Sequence, residues 1–298
     1  MDIKRLEVFC KVVELKSFTR AAEAVFLAQP TVSEIVRQLE ETFGEKLLDR
    51  LGREVLPTPV GEVVYRYALG IVGLQKEAFE AVASFAGTVS GTLRLGAGTV
   101  PGTYLLPRLL ESFRSLYPAV RFGLKIAGTA RVAEELAAGG IELAVTGAVR
   151  TSPQLEWEKI FVDELVLTVF PQHPWARRES VSVEELSGEP FLLREEGSGT
   201  RTALAEALGE RGFEASGLQV VAEMDSSEAI RQGIRARLGI SILSSLVIAE
   251  DLAAGLLVGV PLQGVQLQRP LFVARRRNRK LSPAAASFLD HLRASLSA

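Results

Sequence analysis

The chain has 298 residues, of which 47% are apolar and 23% charged, an ordinary balance for a globular protein that buries a real core in one small and one larger domain. A single cysteine, Cys10, excludes an intrachain disulfide or a thiolate cluster. The two histidines, His173 and His291, are not in metal-ligand spacing, and no apolar run approaches the roughly 20 residues of a membrane span. The formal net charge of -2 requires any nucleic-acid contact to come from a local patch.

The opening residues, MDIKRLEVFCKVVEL, read as an amphipathic helix rather than an export signal, which points to a cytoplasmic protein. Ile3, Leu6, Phe9, Cys10 and Val13 recur at helical steps, so Cys10 reads as core packing. Ser17 is a suitable N-cap for a second helix carrying Phe18, Ala21, Ala22 and Val25 inward. After a break at 26–29, Pro30 fits the first turn of a third helix that buries Val32, Ile35, Val36 and Leu39 and stops at Gly44. Gln29, Pro30, Ser33 and Arg37 share the side of that helix away from the apolar stripe. Gln and Arg can reach base edges and Ser can hold a base or a phosphate, so the pattern has the elements of a helix-turn-helix. On geometry alone it fits equally an ordinary three-helix bundle with a solvated polar face.

The run SFTRAAEAVFLAQPTVSEIVRQLEETFGEKLLDRLGREVLPTPVGE closely resembles the signature of LysR-type transcriptional regulators. The matching elements are Ala21-Ala22, Gln29 to Ser33, Leu39-Glu40, Gly44 to Arg50, and Leu56 to Gly61, where Pro57 is inserted before the family's T-P-x-G. The resemblance implies a winged helix-turn-helix over residues 1–58, with a wing at 50–57. It implies DNA contacts from Thr19, Arg20, Gln29, Pro30, Thr31, Ser33, Glu34, Arg37, Arg50 and Arg53, the last two near the phosphate backbone. One feature departs from expectation for a DNA binder: residues 1–58 hold nine Lys/Arg against ten Asp/Glu. Glu34 is able to accept from a cytosine amine or to repel phosphate.

From 59 to 87, Val64, Tyr67, Ile71, Leu74, Ala78, Ala81 and Phe85 form a heptad stripe. The stripe suits a helix packed on its own domain or one paired with a second copy. The family parallel implies a dimerising linker helix, in a homodimer or homotetramer. GTVSG at 87–91 is the natural boundary after it.

Residues 91–298 then alternate short strands and helices, which predicts an α/β domain with a mostly parallel sheet. DELVLTVF and RPLFVARRR are candidate crossovers between a first lobe (91–162 and 269–298) and a second (163–268). The resemblance implies a periplasmic-binding-protein-like effector domain with ligand between the lobes. Glycine and hydroxyl residues end predicted strands at Gly98 to Pro101, Gly128-Thr129 and Gly197 to Thr200, with Thr146 inside a third strand. Any one segment fits a turn or a cap. Together they nominate Thr99, Val100, Pro101, Gly102, Thr129, Thr146, Ser198, Gly199 and Thr200 as effector ligands, by uncharged donors suited to a small anion. The threonine-rich pattern resembles the family's sulfur-oxyanion sensors. Arg201 is placed to neutralise an anion or to pair with Glu195 or Glu196.

Enzymatic readings lack support. GAGT and GSGT do not complete a phosphate loop, no Ser-His-Asp set is available, and Glu134-Glu135 and Glu184-Glu185 read as solvated faces. A transport receptor would need an export signal and would have no use for the first ninety residues. The reading is a DNA-binding regulator governed by a small effector, with no metal and no other cofactor.

Overall fold

Polar caps set the first helices. In the computed structural model, which describes residues 2–51, 54–84 and 89–296, α1 (Ile3–Leu15) starts where the Asp2 carboxylate accepts from the Lys4 amide. The Ser17 hydroxyl does the same for the Arg20 amide at the start of α2 (Phe18–Ala24). α3 (Gln29–Phe43) has proline in its first turn and ends at Gly44 in the left-handed conformation, as anticipated. The paired strands β1 (Leu48–Leu51) and β2 (Glu54–Pro57) follow, then α4 (Pro59–Ser84).

Contacts divide the chain into two units, one of residues 1–88 with 137–141 and one of 89–136 with 142–298. In the first, Leu6, Phe9, Val12, Ala21, Val32, Val36 and Leu39 form the core. The side chains of Ala21 and Ala22 are buried, and their small size lets the helices approach closely. Cys10 belongs to this core, and burial, helped by Glu14, pushes its thiol up to about 12.

The motif residues explain themselves here. Glu40 reaches past the end of α3 to accept from the amides of Leu47 and Leu48 at 3.0 and 3.4 Å, with the Lys46 ammonium at 2.8 Å. Burial raises its carboxyl, but the ammonium and amides outweigh that and hold it below the usual range. The Thr58 hydroxyl donates to the Lys46 carbonyl at 2.7 Å and accepts from the Gly61 amide at 2.9 Å. Gly61 lies so close to the wing base that an added Cβ would stand 1.9 Å from the Leu47 carbonyl oxygen.

The heptad stripe splits. Val64 is buried in this unit's own core and Ile71 packs against it, while Tyr67 (73% exposed) and Leu74 (60%) face outward with Ala78. Val60 and Val63 extend the exposed stripe toward the helix start. The Ala81 side chain and Phe85 lie outside the described residues. Among the described residues no helix is long and apolar enough to cross a membrane.

The second unit runs β3 (Gly91–Ala97), α5 (Leu106–Leu116), β4 (Val120–Ile126), α6 (Thr129–Ala138), β5 (Leu143–Thr146) and β6 (Leu155–Val169). It continues through β7 (Pro190–Arg194), α7 (Gly199–Gly209), β8 (Gln219–Met224), α8 (Ser227–Arg235), β9 (Ser241–Ser244), α9 (Ser245–Ala253), β10 (Val258–Val260), β11 (Gln268–Arg276) and α10 (Pro283–Leu296). The large sheet is mixed rather than mostly parallel. β3 pairs in parallel with β4 and β5, but β11 runs antiparallel to β5 and β6, and β6 antiparallel to β9 and β10. The two crossover strands carry the chain in opposite directions, so they cannot both follow the βα units beside them. β6 is also longer than DELVLTVF, starting at Leu155, and α9, β10 and α10 add to the elements read from the sequence.

Two main cores result. One gathers Leu93, Leu95, Leu106, Phe113, Leu271, Phe288 and their neighbours. The other gathers Leu167, Val169, Phe191, Leu208, Ile240 and Ile242. Between them run β6 and β11.

Candidate functional site

On the first unit, α3 lines a groove of about 500 Å³ whose walls include Gln29, Pro30, Ser33, Glu34, Arg37 and Lys46. Thr19, Arg20, Gln29, Pro30 and Thr31 are exposed, as base or phosphate contacts need to be. Arg37 is not idle in this state. Its Nε and Nη2 donate to Glu34 at 2.8 and 2.5 Å, and Nη1 donates to Glu41. The Arg37 hydrogen bond, with one from Gln38, brings the Glu34 carboxyl down to about 2. Glu34 is therefore ionised and turned along the helix to its own arginine. These carboxylates occupy the Arg37 guanidinium and blunt the positive field of the face. Arg50 lies in β1 opposite Val55, while its side chain and all of Arg53 lie outside the described residues.

In the second unit, a cleft opens beyond the carboxyl ends of β3, β4, β5 and β7, the position expected in an open α/β sheet. Its walls bring together Thr99, Val100 and Pro101, Gly128-Thr129, and Ser198-Gly199, three segments far apart in the chain. The first turns of α6 and α7 point backbone N–H groups toward it, and the Ser198 side chain does not cap α7. Three nominated residues stand behind the wall instead. The Thr146 hydroxyl donates to the Ala148 carbonyl at 2.7 Å, and Gly102 is packed so that an added Cβ would meet Ile126 at 2.8 Å. The Thr200 hydroxyl accepts from Arg269 Nη1 at 2.7 Å.

The cleft also carries charge, which the sequence reading had not assigned to it. Arg194 and Arg269, both 4% exposed, line the cleft together with Glu195. Arg269 Nε donates to Asp163 at 2.8 Å, and Asp163 also accepts from Ser244 at 2.7 Å. Arg269 Nη2 forms an ion pair with Asp163 Oδ2 at 2.6 Å without hydrogen-bonding geometry, and among the described residues this buried nitrogen has no hydrogen-bond acceptor. Burial lowers the Arg269 pKa while Asp163 pulls it back up. Arg201, by contrast, turns outward to Glu223 at 2.7 Å and to the Arg194 carbonyl, not to Glu195 or Glu196. The only sequence signal for Arg269 was an arginine opening an otherwise apolar strand, RPLFVA. Nothing local marked Arg194.

Comparison with known proteins agrees with both halves. Residues 3–62 match the bacterial regulatory helix-turn-helix protein, lysR family, and residues 86–297 match the LysR substrate binding domain. The chain belongs to the LysR family. It is a DNA-binding transcriptional regulator with an effector-binding domain, and not an enzyme. The HTH-type transcriptional activator CmpR of Synechocystis sp. is 34% identical over 97% of this chain and 94% of its own. The RuBisCO operon transcriptional regulator of Allochromatium vinosum is also 34% identical, over 97% and 95%. The CcmR regulatory domain of Synechocystis PCC6803, solved in complex with 2-PG, superposes with a TM-score of 0.63 at 28% identity, covering 70% of this chain and 98% of that one.

Proposed function

We propose that this LysR-family regulator takes a small oxyanion in the cleft between its lobes. The observation that carries this reading is the meeting of two buried guanidinium groups with the first turns of α6 and α7. Dipole-aligned N–H groups and guanidinium forks both select negative oxygen. Within that class, the threonine-rich segments favour a sulfur oxyanion, as in the family's sulfur sensors. The guanidinium pair, and the 2-PG held by the CcmR domain, favour an organic acid or phosphate. We take the second as the better fit, because the Arg194 guanidinium is a flat two-point fork of the kind that a carboxylate or phosphoryl edge fills, and because the similar CcmR domain was solved with 2-PG.

Isothermal calorimetry decides it, with sulfate, thiosulfate, 2-PG and small carboxylates titrated into wild type and Thr99→Ala/Thr129→Ala. Binding of 2-PG at least about tenfold weaker in the double variant, equivalent to roughly 1.4 kcal/mol, is expected. Equal binding by both proteins would move the site elsewhere, and preference for sulfate would restore the sulfur reading.

Residues 1–58 read DNA in this proposal, with Gln29, Ser33 and Arg37 toward the bases and Thr19, Arg20, Arg50 and Arg53 toward phosphate. Residues 59–87 pair two copies in the cytoplasm through the exposed Tyr67–Leu74 stripe, and 91–298 bind the effector. Because two reading heads on paired half-sites multiply a weak single contact, a near-neutral domain suffices. Arg37→Ala should weaken operator binding by roughly 1–3 kcal/mol at fixed salt. In the same assay Leu74→Glu should bind as a monomer, verified by light scattering. Unchanged affinity removes Arg37 from the reading set, and an undisturbed oligomer removes the stripe from the interface.

A further inference from the structure

We propose that Glu195 is a built-in stand-in for the effector anion, its carboxylate occupying the guanidinium fork of Arg194 that the ligand takes on binding. This rests on the reading that the cleft binds an oxyanion. Glu195 Oε2 accepts from Arg194 Nε at 2.7 Å and Oε1 from Nη2 at 2.8 Å, the two-point geometry that a carboxylate or phosphoryl group would reproduce. The rest of Arg194 is engaged by the Ser227 hydroxyl and, at 3.2 Å, the Asp225 carbonyl. Four of its five N–H groups are engaged in this way, so an anion that takes both points of the Nε–Nη2 fork must displace Glu195.

The partners differ in what holds them. Ser227 is buried at the start of α8, and the Asp225 carbonyl belongs to the backbone just before that helix. Glu195 is at the rim, its side chain 31% exposed, and it precedes a turn through Gly197 at φ +81°. Its amide stays bonded to the Met224 carbonyl at 3.1 Å, so the side chain can swing to water while the backbone keeps its place. The other acid near the cleft cannot leave, since Asp163 is fully buried between Ser244 and Arg269.

Charge follows the same logic. Arg269 is balanced by Asp163 and Arg194 by Glu195, so the cleft is near neutral as it stands. Its free space is about 30 Å³, room for a water-sized group. Moving Glu195 outward opens the fork and uncovers one positive charge together. Effector binding is then an exchange of one carboxylate for another anion. A ligand offering two oxygens in one plane competes better than a monatomic anion. The competition lowers apparent affinity by the fraction of time that the fork is free.

The test is calorimetry on the full chain with 2-PG, sulfate and chloride, comparing wild type, Glu195→Gln and Glu196→Gln. Glu196 is exposed and does not line the cleft, so it controls for general loss of negative charge. Glu195→Gln should tighten 2-PG roughly tenfold, while Glu196→Gln changes it less than about twofold. Equal tightening in both variants, or weaker binding in Glu195→Gln, would overturn the proposal, the latter assigning Glu195 to holding Arg194 in position. Binding by wild type that ignores Thr99→Ala/Thr129→Ala, or no binding of any probe, would instead remove the cleft reading on which it rests.

Discussion

Asp163→Ala should destabilise the C-terminal domain by about 3–5 kcal/mol, because it leaves the Arg269 charge buried without a counter-ion. Asp163 is opposite Arg269 in the antiparallel register of β6 and β11, so the pair bridges the two strands that cross between the cores. Ser244 at the end of β9 donates to the same carboxylate, and Thr200 on α7 accepts from the same guanidinium. One substitution therefore loosens four elements. The paired replacement Asp163→Leu/Arg269→Met should recover most of the stability, since a buried ion pair contributes little beyond what apolar packing supplies. It should not recover anion binding. Urea denaturation followed by tryptophan fluorescence reads this domain selectively, because both tryptophans, Trp157 and Trp175, belong to it. A single variant within about 1 kcal/mol of wild type would show that water reaches the pair and that the crossover does not depend on it.

Gly61→Ala should unfold or misplace the wing, at a cost of about 2–4 kcal/mol to the N-terminal domain. The clash is with backbone: the new methyl would stand 1.9 Å from the Leu47 carbonyl oxygen and 2.9 Å from its carbon, and neither can rotate away. α4 would have to lift from the base of the wing, where Thr58 links Lys46 to Gly61. Thr58→Ala removes the cap without adding bulk and should cost about 1 kcal/mol. The ordering of the two variants separates clash from lost hydrogen bond. The expected readout is loss of operator binding by Gly61→Ala with an unchanged tryptophan unfolding transition. Intact DNA binding, or Thr58→Ala as the worse variant, would show that the helix start yields easily.

These two sites differ in how far they could be read in advance. Gly61 falls in a motif whose members are a few residues apart, so the family signature singled it out from the sequence. What the glycine accommodates, the Leu47 carbonyl, came only with the fold. Asp163 sat unremarked at the head of DELVLTVF, because an acid before an apolar run looks like any strand boundary until its partner, 106 residues away, is found beside it.

The same division holds across the chain. Ser17, Pro30 and Gly44 announced the ends of α2 and α3, since capping and backbone conformation act over a turn or less. The hydrophobic period located α4, and the family signature identified the regulator. Strand direction was not legible, because alternation of side chains is the same for either direction of pairing, and the crossovers made the sheet mixed. Which side of α4 faces outward was not legible either, since Val64 and Tyr67 are both apolar and only packing on the first unit's core tells them apart. The cleft shows the limit most clearly. Hydroxyls at strand ends suggested an uncharged anion site, whereas tertiary structure set Arg194 and Arg269 into its wall and matched each with its own acid. A charge has meaning only through what surrounds it, and those neighbours are brought together by the fold.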